Sequence, residues 1–136
     1  MNYYINNDWY LNGNRNRQEP SLLNPQEGYL KGNLFRNLYS PYKNYQPSRL
    51  NPTSEREKML QELSTYAFAT HELNLYLDLH PENQSMFLLF QDYQQRMNRL
   101  IEEYERKYGP LNVNSEKMKD SFTWESNEWP WEVRNV

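Results

Sequence analysis

The sequence predicts an all-α fold: an antiparallel two-helix hairpin, about 55–79 and 82–108, between long, largely irregular, aromatic-rich terminal arms. Three observations predict it. Apolar side chains recur at three- and four-residue spacing through two stretches of about 25 residues each. Start and stop signals bracket both stretches, and the short connection between them makes the helices antiparallel neighbours. The flanking sequence is too polar, or too broken by proline, to fold around a core of its own.

The first helix opens at Ser54, an N-cap residue, and Glu57 three positions on completes a capping box. Met59, Leu60, Leu63, Tyr66, Ala67, Thr70, Leu73, Asn74 and Leu77 then share one broad face. On that face the Asn74 amide would need partners, and it could fix the register of the packing helices. The helix ends near Leu79, because Pro81 disfavours helical geometry at His80. Pro81 suits the first turn of the second helix. There Met86, Leu89, Phe90, Tyr93, Met97, Leu100, Ile101, Tyr104 and Tyr108 form the apolar stripe. Asp92–Arg96, Glu102–Arg106 and Glu103–Lys107 are spaced for pairs along its outer face. Gly109 is placed to cap the end, Pro110 blocks continuation, and Leu111 can fold back on the last turn. A second apolar row on the first helix, Phe68, Leu75 and Leu79, lies away from the main face, with Leu88 across the turn. Aligned groups of this kind mark a surface covered either by the chain's own arms or by a partner.

The composition narrows the function. Mean hydropathy is −1.14, yet aromatics make up 15% of the chain, with twelve tyrosines and four tryptophans. That suits a protein ordering against a surface, since each ring buries much area and keeps a polar handle. A net charge of −3 with no basic run leaves no electrostatic footprint for nucleic acid. No apolar run approaches the roughly 20 residues of a membrane span, and the amino terminus lacks the order of a signal peptide. Zero cysteines exclude disulfides, thiolate ligands and thiol nucleophiles.

The arms divide into three further segments. Residues 1–25 are asparagine-rich, broken by Gly13, Pro20 and Pro25, and read as a flexible lead-in. Residues 26–53 form an extended arm in which Leu30, Leu34 and Leu38 are four apart, giving one stripe on a short helix with Phe35 and Tyr42 nearby. This arm is either a linker with a few anchors or an embracing strap whose Leu34, Phe35, Leu38 and Tyr42 fill a groove. Residues 112–136, after the hairpin (54–111), carry Trp124, Trp129 and Trp131 among carboxylates. Tryptophan is over-represented at binding hot spots, so this arm docks on the hairpin or on a neighbouring subunit.

Catalytic chemistry is hard to build here. His71, Glu72, Asp78 and His80 invite a metal site, but His71 and Glu72 diverge on a helix and Asp78 lies two turns away. No glycine-flanked serine and no glycine-rich phosphate loop occurs. The expectation is a non-enzyme with no cofactor, no metal and no catalytic residue. The alternative is a small regulatory or metal-binding subunit of a redox enzyme, built on those four residues.

Glu72-Leu73-Asn74-Leu75-Tyr76-Leu77-Asp78, His80-Pro81, Tyr108-Gly109-Pro110-Leu111 and Trp129-Pro130-Trp131-Glu132 together resemble the CotJB family of bacterial spore coat proteins, over about residues 56–132. Gly32-Asn33-Leu34-Phe35, Leu38 and Pro41-Tyr42 look like the core of the CotJA family over about residues 26–50, with Asn33 in place of threonine. The resemblance implies a structural, non-enzymatic spore coat component made in the mother-cell cytoplasm. It implies association with a CotJC-like manganese-catalase-type coat protein, among other coat proteins, while the second apolar row adds self-association into a homo-oligomer. Exposed tyrosines such as Tyr39, Tyr42 and Tyr45 are then candidates for oxidative crosslinking. The interaction residues expected are Leu34, Phe35, Leu38, Tyr42, Phe68, Leu75, Leu79, Trp124, Trp129 and Trp131.

Overall fold

The computed structural model describes residues 19–37, 43–47 and 49–115. Leu38, Tyr42, Trp124, Trp129 and Trp131 lie outside these residues, as do Tyr39 and most of the lead-in. Among the described residues there are three helices and no strand: α1, Pro25–Lys31; α2, Glu55–Leu79; and α3, Gln84–Tyr108. Among the described residues the extended pairing is an isolated antiparallel bridge between Leu22 and Phe35.

The capping box forms as its residues dictate. Ser54 Oγ accepts from Glu57 N at 3.2 Å, and Glu57 Oε2 accepts from Ser54 N at 3.3 Å and from Thr53 N at 2.6 Å. These bonds hold the Glu57 carboxyl below its ordinary pKa, with the Thr53 backbone bond the largest cause. At the other end of α2, His80 N donates to Tyr76 O and Leu77 O, and the chain turns. Pro81 lies in this turn instead of opening α3. Asn83 is the N-cap, its Oδ1 accepting from Met86 N at 3.2 Å, so the cap two residues beyond the proline sets the start. Gly109 closes α3 at φ 98°, a conformation strained for any side chain. Leu111 N then returns to Glu105 Oε1 at 3.0 Å.

Contacts between α2 and α3 pair residues in opposite order, so the helices run antiparallel. Arg56 Nε donates to Tyr104 Oη at 2.8 Å, Arg96 reaches Glu62 at 3.4 Å, the Tyr66 and Tyr93 rings meet edge-on, and Asn83 Nδ2 donates to Tyr76 Oη. Arg96 thus turns across the helix pair to Glu62 in place of Asp92, and its guanidinium lies over the Tyr66 ring.

The amino-terminal arm corrects the expected short helix. The stripe Leu30–Leu34–Leu38 does not form, because α1 stops at Gly32 (φ 70°) before Leu34 is reached. Asn24 Oδ1 caps the start by accepting from Glu27 N at 2.9 Å, with Pro25 in the first turn. The chain beyond Gly32 doubles back beside the chain before Asn24. Leu23 N donates to Leu34 O and Arg36 N to Ser21 O, each at 2.8 Å. Residues 21–36 thereby close on themselves. Residues 19–25, within the stretch that reads as a lead-in, contribute the buried Leu23 to this loop.

The loop packs on α2, and this shifts the buried side of that helix. Its fully or nearly enclosed residues are Thr65, Ala69, Thr70 and Leu73. Asn74, expected on the core face, is exposed. A helix buried on two sides, by α3 and by the loop, centres its enclosed residues between them, and Asn74 falls outside that arc. The core is Leu34, Phe35, Ala69, Leu73 and Met86, flanked by Leu22, Tyr76, Leu77, Leu89, Phe90 and Tyr93.

Candidate interaction surfaces

Two apolar surfaces follow from this packing. The first is the face of the helix pair beneath the loop. Leu34 is completely buried and Phe35 nearly so. Phe35 stacks on Tyr76 with centroids 5.2 Å apart, and Tyr29 meets Phe68 edge-on at 6.1 Å. Leu34 N donates to Glu72 Oε2 at 3.2 Å, and Ser85 Oγ lies 2.9 Å from Glu19 Oε2. Of the expected interaction residues, Leu34, Phe35 and Phe68 are thus engaged within the chain.

The second surface stays open. Leu75 is 49% exposed and Leu79 74%; one turn apart on α2, they continue the row begun by Phe68. Leu88 and Phe87 near the start of α3 are also exposed. The described residues bring Leu75 and Leu79 together on one stripe.

The four candidate metal-ligating residues do not converge. Glu72 is turned to the Leu34 amide, while the His80 ring packs on Tyr76 with centroids 4.4 Å apart. Among the described residues, no three His, Asp or Glu side chains are grouped to hold a metal. An open cleft of about 470 Å³ lies where Asn24–Gln26 meet Lys58, Glu62, Thr65, Tyr66 and Arg96. Its charges are already matched, Arg96 with Glu62 and the Tyr66 ring. Tyr93 nearby has its phenol pKa raised, chiefly by burial, then by Tyr66 and Asp92. No described helix is long and apolar enough to cross a membrane.

Sequence reasoning did not find Glu72, Tyr76 and Ser85 as docking residues. Their partners are between 38 and 66 positions away, and no local spacing signals such contacts.

A protein whose described residues are helical, with exposed leucines aligned on one stripe, is the class these features define. The chain belongs to the CotJB family: the match to the CotJB protein family spans residues 57–132, more than half of its length. Membership makes it a spore coat-related protein. The match takes in nearly all of α2, all of α3 and both Trp129 and Trp131, and it leaves out α1 and the Leu34–Phe35 anchor. No curated protein and no solved structure matches the chain.

Proposed function

We propose that the chain is a structural component of the bacterial endospore coat: a non-enzymatic assembly or adaptor module that self-associates, binds a CotJC-like manganese-catalase-type coat protein, or does both. Synthesis in the mother-cell cytoplasm belongs to the same reading. The observation that carries it is the exposed Leu75–Leu79 row within the family-matched stretch. Isolated exposed leucines are ordinary, but two on one stripe beside Phe68 make a surface suited to apolar contact. Trp124, Trp129 and Trp131 in the carboxy-terminal arm and Leu38 and Tyr42 in the amino-terminal arm extend the interaction set. The CotJA-like segment supplies Leu34 and Phe35, which anchor the loop on the helix pair.

Light-scattering mass of the purified chain, alone and mixed with a CotJC-like protein, tests this reading. A defined oligomer or mixed complex that is lost on Leu75→Ser with Leu79→Ser supports it. A folded monomer indifferent to that partner would contradict it.

A further inference from the structure

We infer that residues 19–37 form a transferable docking module, and that the face of α2 and α3 they cover accepts the same module from a second copy of the chain. This deepens the self-association proposed above by naming the surfaces that exchange.

The module is built to travel. Its main-chain bonds are nearly all internal: Leu23 N to Leu34 O, Arg36 N to Ser21 O and Asn33 N to Gly28 O. The Asn33 side chain brackets Phe35, donating to its carbonyl at 2.6 Å and accepting from its amide at 3.1 Å. Asn24 and Gly32 cap α1 at its two ends. Undocking therefore leaves these backbone groups paired. What it breaks is mainly side-chain packing: Leu34 and Phe35 against Ala69, Leu73 and Met86, and Tyr29 on Phe68. The Leu34 N–Glu72 bond ties the module's main chain to α2.

The receiving face is built separately. It belongs to the helices that match the family, whereas the module lies outside that match. Residues 38–54 join the two, with Pro41, Pro47 and Pro52 along the way. Fully extended they span about 56 Å, more than the roughly 37 Å length of either long helix. The module can thus reach the face of an adjacent copy. Exchange replaces each contact by its equivalent in the neighbour, so the bound state gains no strain and loses no contact. The tethered module competes at an effective concentration on the order of mM. Exchange accordingly prevails where copies are packed at similar density, as in an assembled layer, and not in dilute solution.

The test uses full-length chains, which contain no native cysteine. Glu19 and Ser85 are both exposed and their side-chain tips meet, so Glu19→Cys and Ser85→Cys install thiols without disturbing the core, and a short bismaleimide spans the reach lost with the glutamate side chain. The two single variants are mixed, concentrated and treated with that reagent, and crosslinked species are resolved by mass. Expected is a Glu19→Cys to Ser85→Cys heterodimer that rises with concentration and falls by about tenfold or more when Leu34→Asp is added to the Glu19→Cys chain. The double variant in one chain should form the internal crosslink when dilute. No heterodimer at mM concentration, or one indifferent to Leu34→Asp, overturns the exchange. An absent internal crosslink overturns the docking geometry itself. Either failure leaves association through Leu75 and Leu79 to be judged by its own variants.

Discussion

Leu34→Ala should release the amino-terminal loop while sparing the two long helices. Leu34 is fully enclosed in a core cluster with Ala69 and Leu73, yet it reaches that cluster from outside the helix pair. Losing three buried carbons costs about 2.5 kcal/mol in transfer free energy. The cavity left between loop and helices brings the expected total to about 3–4 kcal/mol. A loss of that size removes much of what holds a 19-residue segment whose main chain is tied to α2 at Leu34. The assays are urea unfolding for the total, and hydrogen exchange resolved by residue for its distribution. Exchange protection should collapse across Pro25–Lys31 and at Leu34, while α2 and α3 stay protected. Leu73→Ala, in the same cluster but on α2, should instead weaken the helix pair itself. A Leu34→Ala cost below about 1 kcal/mol, with α1 still protected, would refute the assignment of Leu34 as the anchor.

Three further outcomes follow from particular contacts. Gly28→Ala improves helix propensity by up to about 1 kcal/mol, but its Cβ would lie 3.2 Å from the Leu34 Cα, which the bonds to Glu72 and Leu23 hold in place. A net loss of about 1–2 kcal/mol is expected in chemical unfolding; a gain would mean that the loop yields. Thr70 Oγ1 is buried without a hydrogen-bond partner among the described residues, so Thr70→Val should raise stability by about 1 kcal/mol. Falling stability on that change would reveal a partner for the hydroxyl. The Glu57 carboxyl, depressed by the Thr53 and Ser54 amides, supports folding fully above its unfolded pKa near 4.5. As pH falls the unfolded chain protonates first, and the contribution is lost through the lower folded value. The difference in Tm between the native chain and Glu57→Gln should therefore shrink on acidification; a constant difference would contradict it.

What could be read from the sequence depended on the range of the cause. The Ser54–Glu57 box and the Gly109 stop are local, and both formed. The stripe of α3 was legible because that helix buries one side; every member from Met86 to Tyr108 is buried or half-buried. On α2 the periodicity pointed to Asn74, which is exposed, because the helix is enclosed from two directions and a single-face pattern places the centre wrongly. The arm was misread at Gly32. Spacing alone carried the helix on to Leu38, whereas a left-handed glycine ended it and sent the chain back to pair Phe35 with Leu22. That closure and the turn of Glu72 toward Leu34 are contacts between distant residues, which spacing does not encode. The open row was visible in outline: Leu75 and Leu79 are exposed, while Phe68 is partly taken up by Tyr29.

The central claim, that this chain is a non-catalytic part of the spore coat, is tested most directly by fractionating washed, mature spores. Peptides of the chain should be found in the coat extract, and deleting its gene should change which other proteins that extract contains. A chain recovered only in the soluble mother-cell fraction, with the coat unchanged by its loss, would contradict the account.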